Sequence, residues 1–330
     1  MRAGKVTGAD VAKAAGVSRA TVSYVMNDTA GQTIPEETRK RVLTAAKKLG
    51  YVPHMAGRTL RTGRSDLVAW ILPDWPIGSQ IGRLIEALSR EASRRKFTLA
   101  VVQEAEGVAR LEATIRTLAP AALIAMHTLP KPIVEYAKAA GIPIASTFHV
   151  VDEAQNDDTA LSAQEVGRMQ VEYLVQKGHR QIAYLYPDDP RVELFASNRL
   201  IGARDVAKQH GLPALRKRTA PLDREALARL AQEWQKAGVT AVCGYNDEWA
   251  MGLLSGMHMV GMSAPKDLAI IGCDDILTAP VASPPLTTIA QSVEPMAVRL
   301  LNAVEQGLGI SDTAGVELLP PTTLVPRESA

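Results

Sequence analysis

From residue 67 to residue 326, short apolar runs alternate with stretches whose apolar residues recur at helical spacing. The first run, Leu67-Val68-Ala69-Trp70-Ile71-Leu72, has the length of a strand and ends at Pro73-Asp74. After it Ile81, Leu84, Ile85, Leu88 and Ala92 follow i, i+3, i+4, i+7 spacing, the mark of a helix with one buried face. Further strand-length runs fall at 97–102, 121–126, 142–147, 181–186, 240–244, 268–272, 286–290 and 322–326, most of them separated by helical stretches. Apolar strands alternating with amphipathic helices give α/β layers built on parallel sheets. About 265 residues of this pattern exceed one ordinary sheet, so the body over 66–330 is expected to form two lobes.

The first 50 residues carry a different pattern. Ala9 to Ala15 is helix-prone and stops at Gly16, and Ser18 has the chemistry of an N-cap for a second helix, Arg19 to about Met26. Pro35-Glu36-Glu37 opens a third helix, in which Val42, Ala45, Ala46 and Leu49 are spaced for one face and Gly50 ends the run. Val11, Ala12 and Ala15 form an inner face on which Val17, Val22 and Val25 close. The expected unit is an all-α helix-turn-helix head over 1–52. Residues 53–65, containing Pro-His-Met-Ala-Gly-Arg-Thr-Leu-Arg-Thr-Gly-Arg, read as a basic linker.

Charge divides at the same place. The whole chain has 37 Lys and Arg against 35 acids, a net +2. Residues 1–64 hold 12 of the cations and 4 of the acids, which leaves 25 cations against 31 acids for the rest. A basic head attracts polyanions, whereas an acidic body repels them. The second helix turns Arg19, Ala20, Ser23 and Tyr24 outward. Arginine and hydroxyl side chains at a helix start suit a major groove, where arginine pairs with guanine and hydroxyls hold phosphates.

These residues also carry a resemblance. Asp10-Val11-Ala12, Ala15-Gly16-Val17-Ser18, Thr21-Val22-Ser23 and Asn27 resemble the head signature of the lac repressor (LacI/GalR) family of transcriptional regulators. Arg39, Val42, Ala46, Leu49-Gly50-Tyr51 and Pro53 continue it. The resemblance implies that Arg19 and Ala20 stand at the two specificity positions of a recognition helix, with Tyr24 at a third base-facing position. It implies that Thr7, Ser18, Thr21, Ser23, Asn27 and Tyr51 position phosphates. Gly57-Arg58-Thr59-Leu60 is similar to the family's Ala-Arg-x-Leu hinge, with Leu60 as a minor-groove wedge that kinks DNA. Gly57 replaces an alanine and lowers helix propensity by about 1 kcal/mol.

In the body, Leu72-Pro73-Asp74, Gly178-His179-Arg180-Gln181-Ile182-Ala183, Arg199-Leu200-Ile201-Gly202, Asn246-Asp247-Glu248, Ile271-Gly272-Cys273-Asp274-Asp275 and the terminal Arg327-Glu328-Ser329 resemble family segments. They imply two periplasmic-binding-protein-like lobes with a ligand cleft between them. Ligands of parallel α/β sheets bind beyond the carboxyl ends of strands, where Asp74, Asn246 and Asp274 are expected. With Arg199, these are the expected effector contacts, and Trp75 is placed to stack on an apolar ligand face. Their structural alternatives are an Arg199–Asp274 ion pair and Asn246 as a helix cap. Ser162-Ala163 stands where the family has Asp-Asn, and Trp75-Pro76-Ile77-Gly78 where it has an Asn-Pro-Phe-Phe-type segment. Both depart from the usual sugar pocket.

The expected function is a sequence-specific DNA-binding regulator, a repressor controlled by a small-molecule effector, a sugar or related metabolite. The alternatives are an α/β enzyme or a free solute-binding protein. No Gly-x-Ser-x-Gly elbow, phosphate loop or His-Glu-x-x-His occurs, and Ser93-Arg94-Arg95-Lys96 reads as a helix end rather than a catalytic Ser-x-x-Lys. Cys243 and Cys273 suit neither a disulfide framework nor zinc, and neither a cofactor nor a metal is expected. The N-terminus lacks a signal-peptide pattern and no run is long enough to span a membrane, so a cytoplasmic protein is expected. The partners expected are near-palindromic double-stranded operator DNA and a second copy of the chain. Twofold operators mirror twofold dimers, and no heptad for tetramer assembly follows Ser329.

Overall fold

The computed structural model describes residues 6–26, 33–51, 65–104, 107–146, 158–311 and 322–330. The chain divides into two compact units, Met1–Ser65 and Asp66–Ala330.

The first unit has helices α1 (Gly8–Ala15), α2 (Arg19–Met26) and α3 (Glu36–Leu49). Thr7 and Asp10 form a capping box: the Thr7 amide and hydroxyl both donate to Asp10 Oδ2, at 2.8 and 2.7 Å. These bonds hold the Asp10 carboxyl below its usual range. Gly16 ends α1 at φ 64°, a conformation that costs glycine nothing and a side chain about 1 kcal/mol. Val11, Ala12, Ala15, Val22, Val25, Val42, Ala45 and Ala46 form one small core. Leu49, expected on that face, is exposed at the last turn of α3.

The second unit contains two four-stranded parallel sheets. The first has order β2-β1-β3-β4, from β1 (Leu67–Leu72), β2 (Thr98–Gln103), β3 (Ala122–Ala125) and β4 (Ile144–Ser146). Helices α4 (Ser79–Arg94), α5 (Val108–Leu118) and α6 (Lys131–Ala139) follow its strands. The second has order β6-β5-β7-β8, from β5 (Ile182–Pro187), β6 (Arg216–Ala220), β7 (Ala241–Gly244) and β8 (Ala269–Ile271). It is served by α7 (Asp158–Gln176), α8 (Glu193–Gln209), α9 (Arg224–Lys236) and α10 (Asp247–Met259). In each sheet the first strand pairs with the next two in sequence, so the order reverses beside it and a crevice opens at the strands' carboxyl ends.

The lobes are not separate stretches of chain. After β9 (Thr288–Gln291) the chain crosses at Ser292 into α11 (Glu294–Gly307), whose Ala297, Leu300, Leu301 and Val304 pack into the first lobe's core with Trp70 and Leu88. Strand β10 (Thr322–Val325) then pairs antiparallel with β9. That two-stranded ladder departs from the all-parallel expectation. Edge strand β6 was not among the expected strands: its sequence Arg-Lys-Arg-Thr-Ala is exposed at its first four positions and has no apolar run to read. The C-terminus is tied into the second lobe, with Ser329 Oγ donating to Ile270 O at 2.6 Å and Tyr173 donating to Ala330 O at 2.8 Å.

Helices α7 and α8 cross at backbone contact. A Cβ at Gly167 would lie 1.8 Å from Arg199 O, and one at Gly202 would lie 1.9 Å from Gln164 O. Two glycines therefore fix the distance of α8 from α7. Trp70 and Trp234 are fully buried in their lobes. Ser93 closes α4, where Arg95 pairs with Glu91 and Glu305 at 2.8 Å each. No helix among the described residues is long and apolar enough to cross a membrane.

Candidate functional site

Each unit presents one site. In the head, α2 turns Val22 and Val25 into the core and leaves Arg19 and Ala20 exposed at its first turn. Thr21, Ser23 and Tyr24 are half-buried on its flanks. Ser18 Oγ accepts from the Thr21 amide at 3.0 Å and shares a hydrogen bond with the Thr21 hydroxyl at 2.9 Å. Ser18 is therefore the cap of α2. Thr7 and Asp10 play the same part for α1, and Tyr51 packs on the head core with its hydroxyl beside Gly8. Helix starts that are capped by exposed hydroxyls leave amide donors and positive dipole ends facing outward, which suits phosphate. Asn27, Gly57, Arg58 and Leu60 lie outside the described residues.

In the body, a cleft of about 230 Å³ opens between the two sheets. Trp75, Arg199, Asn246 and Asp274 line it. Asp74 does not. Trp75 turns inward to the first lobe's core, so its neighbour faces solvent, where Asp74 Oδ1 accepts from Gln103 Nε2 at 3.4 Å.

The polar lining is tied to itself. Arg199, 5% exposed, donates from Nη1 to Tyr245 O at 2.7 Å and from Nη2 to Asp274 Oδ1 at 3.2 Å. Its guanidinium lies 4.9 Å from the Tyr245 ring centre. Asn246 Oδ1 accepts from the Trp249 amide at 3.1 Å and caps α10, while its Nδ2 donates to Glu248 Oε2. The ion pair and the cap raised by the sequence are both present, inside the cleft wall. Asp274 and Asp275 have φ values of 104° and 47°, a region that side chains rarely occupy. Four hydrogen bonds hold them there. Arg83 donates to both carbonyls, the Asp274 amide donates to Ile289 O at 2.8 Å, and Arg327 Nη2 meets Asp275 Oδ1 at 2.6 Å.

Several lining residues went unread in the sequence. Phe195 stands one turn before Arg199 on α8, and its ring meets Trp75 edge-on at 4.9 Å, joining the two lobes. Tyr245 and Glu248 flank Asn246, and Trp249 meets Tyr245 edge-on at 5.8 Å. The strand-end rule that found Asn246 applies equally to its neighbours. Asp189 also lines the cleft and pairs with Arg191 at 2.7 Å.

Beneath the wall lies Asp247, fully buried and without an ion-pair partner among the described residues. Burial pushes its carboxyl up to about 7, Asp274 and Asp275 add to the rise, and hydrogen bonds from Thr288 and the Ile276 amide oppose it. Cys243 and Cys273 are free thiols that burial makes less acidic, so they are inert packing groups.

Comparison with known proteins matches residues 8–54 to bacterial regulatory proteins of the lacI family and residues 171–330 to a periplasmic binding protein-like domain. The chain is 27% identical to the HTH-type transcriptional regulator DegA of Bacillus subtilis, covering 97% of both chains. It is 26% identical to the HTH-type transcriptional repressor PurR of Actinobacillus pleuropneumoniae, over 92% of this chain and 91% of that one. Its fold is similar to that of the lac repressor dimer bound to operator and the anti-inducer ONPF, at 24% identity, TM-score 0.77, and 98% and 99% coverage. A transcriptional regulator CelR–cellobiose complex matches at 23% identity, TM-score 0.65, and 99% and 100% coverage.

Proposed function

Since the chain belongs to the lacI family of bacterial regulatory proteins, we propose that it is a homodimeric repressor that reads near-palindromic operator DNA and responds to a small molecule held in the interlobe cleft. The observation that carries the DNA reading is the exposed Arg19–Ala20 face of α2, set on a sealed core and framed by capped helix starts. Arg19 reads a base edge, Ala20 leaves room for a thymine methyl, and Tyr24 reaches a flanking position. The hydroxyls of Thr7, Ser18, Thr21, Ser23 and Tyr51, with Asn27, hold phosphates. Residues 53–65 act as the hinge, in which Leu60 wedges the operator centre beside Gly57 and Arg58.

Support for the dimer comes from one apolar surface of the second lobe. Leu277 is 91% exposed and Val281 77%, in a segment whose Thr278 hydroxyl meets Met251 Sδ of α10, and Leu222, 52% exposed, lies beside Gly252 of the same helix. A patch of this kind marks an association site. The effector acts through unequal affinity for two lobe arrangements. Trp75–Phe195, Arg83–Asp274 and Gln80–Gln291 are contacts between lobes that such a change remakes. A regulator rather than an enzyme is favoured by the named relatives, which are regulators.

Selection of bound sequences from a random duplex library tests the reading. The full chain should enrich a twofold site, and its affinity should fall steeply with salt as counterions are released. Enrichment of no symmetric sequence would refute it.

A further inference from the structure

The cleft's chemistry narrows its ligand further than the family does. Three carboxylates line it: Asp189 is paired with Arg191 and Asp274 with Arg199, which leaves Glu248 as the unmatched one among the described residues. Arg199 directs Nη1 to the Tyr245 carbonyl and Nη2 to Asp274, so its charge is matched, while its buried Nε keeps no hydrogen-bond partner among the described residues. Each side-chain amide has one of its two N–H donors engaged: Asn246 Nδ2 on Glu248, Gln291 Nε2 on Ser162 at 2.9 Å and Gln80 Nε2 on Gln291 O at 3.4 Å. Hydroxyl-rich ligands need donors and acceptors in alternation. Donors remain at Arg199 Nε and the Ser79 and Ser162 hydroxyls, but the charge left unmatched among the described contacts is carboxylate. Glu248 has no ion-pair partner there, and its Oε1 reaches across to Gly78 of the opposite lobe, 3.2 Å from where a Cβ would stand. Asp274 Oδ2 accepts no hydrogen bond there, although Oδ1 accepts two.

Around these oxygens stand the rings of Trp75, Phe195, Tyr245 and Trp249, in two edge-on pairs. One face of Tyr245 already carries the Arg199 cation. Aromatic faces attract cations, more strongly once water is excluded, and ring cages with a nearby carboxylate recognise ammonium groups. An uncharged sugar would leave Glu248 without a counter-charge in a cleft that closes, and an anion would be repelled by it.

We propose that the effector is a small organic cation, a primary or quaternary amine on an apolar, ring-sized body, with Glu248 as its charge partner and Trp75, Phe195 and Trp249 as its cage. The proposal rests on the reading of the cleft as the effector site. The test is isothermal titration of the full chain with 2-phenylethylamine and benzyltrimethylammonium, and with 2-phenylethanol, phenylacetate and D-glucose as neutral, anionic and sugar probes. The ammonium probes should bind at least tenfold more tightly than the alcohol, and Glu248→Gln should erase that preference. Tryptophan fluorescence locates the event, and Trp75→Phe and Trp249→Phe should each reduce the signal. Glucose or phenylacetate that binds and changes this fluorescence, with the amines silent, overturns the proposal and leaves the cleft as effector site. Amine binding that neither Glu248→Gln nor the tryptophan variants alter lies elsewhere and overturns both. Binding of no probe overturns the choice of an amine, while operator release by another class of metabolite would still uphold the cleft.

Discussion

The α7–α8 crossing yields a sharp prediction because both partners are backbone. In Gly202→Ala the new methyl would stand 1.9 Å from Gln164 O and 2.6 Å from its carbonyl carbon. Side-chain carbons are not found closer than 3.0 Å, so the helices must part by about 1 Å at this point. No rotamer relieves the clash, since neither atom belongs to a flexible side chain. Overpacking a tight core costs about 1–3 kcal/mol, and a backbone partner puts this site at or above the upper end. For a body of this size about 3 kcal/mol lowers Tm by roughly 6–12 °C.

The functional effect follows from position. Arg199 is less than one turn from Gly202, and its contact with Asp274 is already 3.2 Å long. A shift of about 1 Å takes that contact beyond hydrogen-bond range and exposes a carboxylate that the cleft wall now holds. Gly202→Ala should therefore lose effector response more completely than its fall in Tm accounts for, while the head keeps its DNA affinity. The control is Gly82→Ala on α4, where an added Cβ meets nothing within 4 Å. That change should be neutral or stabilise by up to about 1 kcal/mol. Thermal unfolding with and without ligand reads both variants. If Gly202→Ala unfolds within a degree of the parent chain, the crossing is softer than argued and the reasoning fails.

Arg19→Ala should cost about 1–3 kcal/mol on the selected operator and relax preference at one base of each half-site; fluorescence anisotropy on single-base variants checks it, and uniform weakening would make Arg19 a phosphate contact instead. Ser18→Ala removes the α2 cap and should destabilise the helix start by about 1 kcal/mol, read as faster hydrogen exchange at the Thr21 amide. Asp247 has a folded pKa raised to about 7, so the folded state binds its proton more tightly than the unfolded state. Its stabilisation is complete below about pH 4 and is lost as pH rises through 7, by up to about 4 kcal/mol. Asp247→Asn should therefore gain stability relative to the parent between pH 5 and pH 8, and equal denaturation midpoints for the pair at both pH values would count against a neutral Asp247.

What the sequence made legible follows from how local each feature is. The head could be read because its determinants lie within a few residues of each other: Ser18 caps its own helix, and Val11, Val22 and Val25 are spaced to meet. Apolar strand runs were equally local. Strand β6 escaped because an exposed basic edge strand owes its conformation to Ile182–Pro187 beside it, not to its own side chains. The β9–β10 ladder escaped because its register is set by where the chain returns from α11.

The cleft shows the same limit more finely. Strand-end reasoning brought Asn246 and Asp274 to the right place but could not choose between Asp74 and Trp75, since adjacent residues beyond a strand point opposite ways and only packing decides which turns inward. Trp75 turned inward because Phe195, 120 residues later, supplies its partner ring. The sequence also posed a choice between structural and ligand roles for Arg199, Asp274 and Asn246, and the structure dissolves that choice. The ion pair and the helix cap engage Arg199 Nη1 and Nη2 and the Asn246 amide, and by doing so they determine which atoms stay open. A pocket's selectivity then lies in the groups its own structure leaves unsatisfied, here Glu248 Oε1, Asp274 Oδ2 and Arg199 Nε, which no motif singles out because each is defined by the bonds its neighbours have already made.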